Sequence, residues 1–195
     1  MAKKEDILLA AQEIFARSGY AGTTMKMVAE KAGVASGLVF HYFDNKENLF
    51  MVAGSDLIKT MIEDIRKAIS VAHNGREALG LFVEAYLGFT LNEAKTFPTL
   101  LRCSPFSDDN PDLDRQKIGA KFREIINIIE AILQRGILDG SIAELPVAQT
   151  AFLIYGSILG AVRTKFLAPY DVPGLYAEAQ RFIVRSVSNP EYVAG

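Results

Sequence analysis

A short segment at residues 36–43 carries side chains that could recognise DNA without covalent chemistry. Val39 and Phe43 lie four residues apart, so on a helix they share one face and are expected to pack inward. The open face then holds Ser36, Gly37, Leu38, Phe40, His41 and Tyr42. Apolar groups on this face can contact the methyl group of thymine, but they cannot form the paired hydrogen bonds that identify guanine.

The residues before this segment predict the element that positions it. Thr24 is a good N-cap, because its hydroxyl can accept a hydrogen bond from a free backbone N–H. Gly33 follows the apolar pattern at a position where a left-handed turn favours glycine. Between them, one apolar face of a helix is formed by Met25, Val28, Ala29 and Ala32. Residues 24–43 therefore predict a helix-turn-helix, whose second helix can lie in the major groove of DNA. Asp44 or Asn45 is expected to cap the helix that follows.

A longer ordered pattern runs through roughly the first fifty residues without a gap. Its members are Phe15, Gly19, Tyr20, Thr23, Thr24, Val28, Ala29, Ala32, Gly33, Val34, Gly37, His41, Tyr42, Phe43, Lys46, Glu47, Asn48 and Leu49. In this order they resemble the N-terminal domain of the TetR (tetracycline-repressor-like) transcription regulators. The resemblance implies that the third helix contacts double-stranded DNA in the major groove. The DNA contacts that it implies are Thr24, Lys26, Ser36, Gly37, Leu38, Phe40, His41, Tyr42 and Lys46.

In a protein of this family, Ser36, Leu38 and Phe40 would face base edges or the wall of the groove. Family members often carry Ser-Lys-Gly-Thr before Leu-Tyr, where this chain has Ala-Ser-Gly-Leu before Val-Phe at residues 35–40. The groove-facing side therefore loses hydrogen-bond donors and gains apolar surface. We expect an operator with important T·A pairs that is read partly through DNA shape.

Phosphate contacts would come from four other positions of the same pattern. Tyr42 and Lys46 would donate hydrogen bonds, and Gly37 would let the backbone approach a phosphate closely. Thr24 would bring the amino end of a helix, whose free N–H groups favour an anion. The chain has a net charge of −2, and acidic and basic residues nearly balance near its N-terminus. Affinity for DNA is therefore expected to depend on where these groups lie more than on bulk charge.

The composition is that of a globular protein with a substantial core. A chain of 195 residues, half of them hydrophobic, fits one or two compact domains. The charged start of the chain leads into helical periodicity, so we expect no signal peptide. The single cysteine, Cys103, suits a reducing cytoplasm. Residues 145–162 contain no charge, but proline, glycine and polar residues dilute them. We therefore expect a buried helix there rather than a membrane span, and a cytoplasmic protein.

Helical periodicity continues to the C-terminus, and no strand pattern competes with it. We predict an all-α protein of about nine helices. Their predicted ranges are roughly 3–18, 25–32, 36–43, 46–72, 76–95, 98–102, 112–135, 147–168 and 174–188, with a loop at 104–111. The DNA-binding domain would occupy residues 1–46, and a ligand-binding and dimerisation domain would occupy residues 47–195.

The predicted dimer surface lies on the helix that begins near residue 147. Readers of the major groove commonly bind as dimers, so this chain should form a homodimer on a palindromic operator. Small residues on one helical face would let two helices approach closely. The predicted interface residues are Phe152, Tyr155, Gly156, Leu159 and Gly160. Packing within one monomer would explain the same pattern, but the resemblance implies a four-helix bundle formed by the last two helices of each protomer.

A ligand pocket in the middle helices is also implied by the resemblance. The candidate lining residues are Tyr86, Phe89, Leu101, Phe122, Ile126 and Tyr155, although ordinary core packing would give the same set. The effector would be a hydrophobic or aromatic small molecule of unknown identity. It would favour a conformation that no longer matches the operator, with the long helix from Lys46 to Ala72 as the lever. The protein would then be a repressor that its effector releases from DNA.

An enzyme is the main contrary class, and the sequence gives it no support. His41 and His73 are far apart in sequence, and Cys103 has no nearby histidine. No glycine-rich phosphate loop or cluster of metal ligands is present in the sequence, so we predict no catalytic residue, metal or cofactor. A helical small-molecule-binding or protein-interaction module without operator function is the remaining alternative.

Overall fold

A computed structural model of the chain describes residues 2–103 and 115–192. Within these residues the chain forms nine α-helices and no β-strand, which confirms the predicted all-α class. The helices are α1 (Ala2–Ser18), α2 (Met25–Ala32), α3 (Ser36–Phe43), α4 (Lys46–Ile69), α5 (Gly75–Asn92), α6 (Pro98–Cys103), α7 (Arg115–Leu138), α8 (Val147–Leu167) and α9 (Leu175–Val187). The predicted loop at 104–111 lies outside the described residues.

Packing divides the chain into two compact units, each built from two stretches of sequence. The first unit comprises Met1–Thr60 and Glu93–Phe122, and the second comprises Met61–Asn92 and Arg123–Gly195. Helix α6 therefore packs in the first unit with α1, α2 and α3, although it follows α5 in the sequence. The functional boundary between residues 46 and 47 stays a prediction.

Aromatic side chains form the centre of the first unit. The Phe15 and Phe50 rings meet edge to face, with 4.8 Å between their centroids, and Tyr20 lies 5.2 Å from Phe50. Phe15 and Phe50 are fully buried, and such pairs add about 1 kcal/mol beyond their burial. This cluster joins α1, the turn after it and α4, so it fixes the frame that holds α2 and α3.

The second unit contains a close contact that explains one wrong helix boundary. Gly136 was predicted to begin a connection, but α7 continues through it to Leu138. A side chain on Gly75 would bring a Cβ atom 2.2 Å from the Gly136 Cα, and one on Gly136 would meet Ile142. Gly75 is therefore required by close packing of α5 against α7, and Gly136 by its contact with Ile142, so Gly136 does not serve as a helix stop.

Hydrogen bonds at the start of α5 strengthen the same contact in the second unit. The Asp139 carboxylate accepts from the backbone N–H of Gly75 at 2.7 Å and from that of Ser141 at 2.9 Å. The Ser141 hydroxyl accepts from the N–H of Arg76 at 3.0 Å. Two free donors of the first turn of α5 are thus satisfied by residues more than sixty positions away. Across the described ranges, no helix is both long and apolar enough to cross a membrane.

Candidate DNA-binding surface and regulatory sites

Both ends of α2 have the caps that the sequence predicts. Thr24 is extended (φ −119°, ψ 153°), and its hydroxyl accepts from the backbone N–H of Met27 at 3.2 Å. Gly33 is left-handed (φ 66°, ψ 33°), and the next N–H, that of Val34, reaches back to the carbonyl of Ala29 at 3.0 Å. These caps end α2 sharply, so α3 begins three residues later in a new direction.

Helix α3 presents the open face that its periodicity predicts. Val39 is 0% exposed and Phe43 is 1% exposed, so both pack inward as expected. Phe40 is 49% exposed, so its ring is accessible to a partner. The other open-face positions divide into exposed Gly37 and His41 and half-buried Ser36, Leu38 and Tyr42. The structure thus brings the six predicted residues onto one short, accessible helix.

The junction between α3 and α4 is a tight turn centred on Asp44. Asp44 has φ 57° and ψ −54°, and the N–H of Asn45 donates to the carbonyl of Phe43 at 2.5 Å. This is a γ-turn with positive φ, a strained conformation for any residue with a side chain. The Asn45 side chain accepts from the N–H of Asn48 at 2.9 Å, so of the two predicted caps of α4 it is Asn45 that acts.

Lys46 has a structural partner that the sequence did not indicate. Its ammonium donates to the backbone carbonyl of Tyr20 at 3.0 Å and lies 4.2 Å from the centroid of the Tyr20 ring. The side chain is half-buried and ties the first turn of α4 to the connection between α1 and α2. No periodic pattern links positions 26 residues apart, so only the folded chain reveals this contact. Donation by Lys46 to a phosphate stays a prediction.

Charges around α2 are paired locally and contribute little net field. Lys31 on α2 forms an ion pair with Glu13 on α1 at 2.8 Å. Lys26, a predicted DNA contact, is exposed and lies 3.8 Å from Glu30, one turn along the same helix. Exposed pairs of this kind add only a few tenths of a kcal/mol. Lys26 is therefore accessible from solvent and could exchange its weak partner for a phosphate.

The six predicted ligand contacts are all buried, but they fall in both units. Tyr86, Phe89, Ile126 and Tyr155 lie in the second unit, whereas Leu101 and Phe122 lie in the first. Within the second unit, the Tyr86 and Tyr155 rings pack edge to face with 6.3 Å between their centroids. Burial raises the pKa of both phenols well above its usual range, and the two side chains interact.

The exposed face of α8 carries four of the five predicted interface residues. Phe152 is 46% exposed, Gly156 and Gly160 are exposed, and Leu159 is half-buried. Tyr155 differs from this prediction, since its side chain is 1% exposed and packs into the second unit on the other side of the helix. It is therefore absent from the face that a partner could contact.

A groove beside this face adds residues that the sequence analysis missed. It measures about 380 Å³ and runs between α8 and α9, with Gly160 and Thr164 on one side and Ala179 and Phe182 on the other. Phe182 is 54% exposed. The sequence pattern that indicates Phe182 is its position on the last predicted helix, one helical turn after Ala179. Among the described residues, no group of three or more metal-ligating side chains occurs.

Known proteins match this chain in both sequence and structure. Residues 7–52 match the sequence model of the bacterial regulatory proteins of the tetR family. The fatty acid metabolism regulator protein of Bacillus subtilis (strain 168) is 28% identical over 190 residues, which is 96% of each chain. The match to the family model covers α2 and α3, together with most of α1 and the start of α4.

Solved structures agree with the sequence comparison. The transcriptional regulator FadR from Bacillus subtilis, crystallised in complex with stearoyl-CoA, has a TM-score of 0.83 and 28% identity. The match covers 94% of this chain and 99% of that one. The fatty acid degradation regulator FadR from Bacillus halodurans has a TM-score of 0.84 at 23% identity, covering 94% and 95%, and supports the fold alone. Residues 7–52 thus carry the DNA-binding domain of the tetR family, and the chain is a DNA-binding transcriptional regulator that resembles these relatives over nearly its whole length.

Proposed function

We propose that the protein is a homodimeric repressor that binds a palindromic operator through α3 and leaves it when a long apolar effector binds. The observation that carries this proposal is the accessible face of α3, framed by a capped α2 and a buried aromatic cluster. A rigid frame is needed because a recognition helix must meet base edges within a fraction of an ångström.

The exposed apolar side chains of α3 favour recognition of DNA through the methyl groups of thymine. Phe40 projects from the helix with half of its surface exposed, and Leu38, two residues earlier and on the opposite flank of the helix, is half-buried. These groups suit thymine methyls, while Ser36 and His41 supply the hydrogen-bonding groups of the face. Tyr42, Lys46 and the amino end of α2 would hold phosphates beside the groove. The operator should therefore contain T·A pairs at the positions that Phe40 faces.

Two copies would associate through α8 and α9. Phe152 and Phe182 expose large apolar surface, and Gly156 and Gly160 lack side chains that would keep a second helix away. Large apolar side chains exposed together on one face favour an interaction surface. Such a dimer would carry two α3 helices, one for each half of a palindromic site.

The effector we propose is a long-chain acyl thioester of coenzyme A. The support is the Bacillus subtilis relative, whose chain matches this one almost end to end and whose crystals hold stearoyl-CoA. In the second unit, the buried Tyr86 and Tyr155 phenols supply a polar point among apolar side chains, the usual composition of a ligand site. Helix α4 contributes residues to both units and would be the lever that transmits binding.

Selection of duplexes from a random pool, followed by fluorescence anisotropy, tests this function. We expect a palindromic site bound at least a hundredfold more tightly than a scrambled duplex, since specific binding commonly exceeds non-specific binding by about 10³ or more. Stearoyl-CoA should weaken binding to the selected site at least tenfold, and free coenzyme A should not. Equal affinity for selected and scrambled duplexes would instead favour a helical binding module without operator function.

A further inference from the structure

A buried chain of hydrogen bonds joins α6, α1 and α4 inside the first unit. Thr99 on α6 is 0% exposed, and its hydroxyl donates to the backbone carbonyl of Gln12 on α1 at 2.7 Å. The Gln12 side chain, 4% exposed, donates in turn to the carbonyl of Ala53 at 3.2 Å and to the carboxylate of Asp56 at 3.1 Å, both on α4. A short series of bonds thus fixes three helices relative to one another.

Breaking these buried hydrogen bonds without replacing them would cost free energy. A hydroxyl or amide that is left buried without a hydrogen-bond partner destabilises the fold by about 1–3 kcal/mol. Thr99 has no exposed surface, so water cannot replace the carbonyl of Gln12 without separating α6 from α1. Loss of this hydrogen bond therefore requires α6 and α1 to move apart.

The location of this contact connects it to DNA recognition. Helix α1 belongs to the DNA-binding domain matched at residues 7–52, whereas α6 lies outside that match. Helix α1 packs directly against α2, and the weak ion pair between Glu13 and Lys31 lies across this contact. The Thr23 hydroxyl, just before α2, donates to the carbonyl of Gly19, just after α1. A change in the position of α1 is therefore passed to α2 and then to α3.

We infer that Thr99 and Gln12 are positioning residues for operator binding, which set α1 and the helices it carries from a helix outside the DNA-binding domain. This gives α6 a direct connection to the DNA-binding domain, in addition to the continuous α4. The inference rests on one part of the proposed function, namely that α3 binds the operator. It does not depend on which effector the protein binds.

Threonine variants separate a positioning role from a merely structural one. Thr99→Val removes the hydroxyl and keeps the shape, while Thr99→Ser keeps the hydroxyl. Thr90→Val is the matched control, because Thr90 is also 0% exposed, but in the second unit. Its hydroxyl donates to the carbonyl of Leu87 at 2.7 Å and lies 2.9 Å from the Tyr176 hydroxyl, so it too links two helices. Each variant is melted by circular dichroism and titrated with the selected operator duplex and with a scrambled duplex.

We expect Thr99→Val to weaken operator binding about tenfold, the effect of one neutral hydrogen bond. Binding to the scrambled duplex should not change, because phosphate contacts do not need α3 in register. Thr99→Ser should restore most of the affinity. Thr90→Val should lower the melting temperature by a similar amount yet change operator affinity less than twofold.

A second readout uses hydrogen exchange of the backbone amides of α1 in the free protein. Thr99→Val should speed their exchange, and Thr90→Val should not. Unchanged operator affinity in Thr99→Val, or an equal loss in Thr90→Val, would overturn the inference. Failure of the wild-type protein to prefer any duplex would instead contradict the proposed function, so the two failures are distinguished by the wild-type titration alone.

Discussion

The Lys46 ammonium lies 3.0 Å from the backbone carbonyl oxygen of Tyr20 and 4.2 Å from the centroid of the Tyr20 ring. The lysine at the start of α4 therefore binds the connection between α1 and α2 through the carbonyl and the ring of Tyr20. The same ammonium has two further N–H donors, which can form hydrogen bonds to a phosphate. One residue can thus combine a structural contact with a predicted DNA contact.

Replacing Lys46 with methionine should reveal both contributions. Loss of the bond to the Tyr20 carbonyl should lower the free energy of unfolding by about 1 kcal/mol. Loss of a phosphate contact should reduce the slope of log affinity against log salt by about 1. Denaturant titration and anisotropy at several salt concentrations measure the two effects. Lys67→Met, at an exposed position of α4, is the control and should change neither quantity.

Gly37→Ala should separate stability from DNA binding. A Cβ at Gly37 would meet no atom within 4 Å, so alanine fits and its helix propensity should stabilise the fold by about 0.5–1 kcal/mol. Operator affinity should nevertheless fall if the α3 backbone approaches a phosphate there. Gly88→Ala on α5 has equal space and should stabilise without affecting DNA. Full operator affinity in Gly37→Ala would remove Gly37 from the predicted contacts.

The Tyr86 and Tyr155 phenols should behave as a coupled pair in unfolding experiments. Each single change to phenylalanine removes one hydroxyl from a buried pair and should cost about 1 kcal/mol. The double variant should lose less than the sum of the two, because the second change no longer strands a partner. Urea denaturation of the four proteins gives the coupling energy. Strict additivity would mean that the two hydroxyls do not depend on each other.

The Asp139 cap of α5 should make stability depend on pH in the acid range. Burial alone would raise the pKa of Asp139, but hydrogen bonds from Ser141 and Gly75, together with nearby Arg135, hold it below its usual range. The carboxylate therefore stabilises the fold above the ordinary aspartate pKa of about 3.9, and this stability is lost as pH falls through the lowered pKa. Asp139→Asn should destabilise the protein at pH 7.

The difference in melting temperature between wild type and Asp139→Asn should shrink steadily below about pH 4. Asp171→Asn serves as a control, because Asp171 pairs with Lys165 on the surface and its loss should matter little at any pH. A gap between wild type and Asp139→Asn that persists unchanged to pH 2 would mean that the carboxylate charge is not what stabilises α5.

Phe182→Glu should dissociate the proposed dimer. The substitution puts a negative charge into the mainly apolar groove between α8 and α9, beside Glu178, which lines the same groove and cannot pair with it. Because Phe182 is 54% exposed in the single chain, the monomer should stay folded. Analytical ultracentrifugation should find wild-type dimer and variant monomer, with circular dichroism unchanged. A variant that remains dimeric would move the interface away from this groove.

Local signals explain which parts of the fold could be predicted from sequence. Thr24, Gly33 and the inward pair Val39 and Phe43 act within a few residues of one another, so capping rules and periodicity placed α2 and α3 correctly. The two candidate caps of α4 could not be separated, because the choice of Asn45 depends on a γ-turn at Asp44 that no local preference favours.

Long-range contacts account for what the sequence did not reveal. The bond between Thr99 and Gln12 spans 87 positions, and the bond between Lys46 and Tyr20 spans 26. Gly136 lies inside α7 as a residue required by close contact with Gly75 and Ile142, which are distant in sequence or outside the helix. Such contacts are set by how helices pack, and a single sequence carries no periodic trace of them.

Titration of the selected operator with wild-type protein and with Phe40→Ala is the most direct test of the central claim, that α3 reads DNA bases. Phe40 is half exposed, so its truncation should leave the melting temperature within a few degrees of wild type. We predict at least a tenfold loss of affinity for the operator and no change for a scrambled duplex. Equal operator affinity in the two proteins would show that α3 does not read DNA through this face.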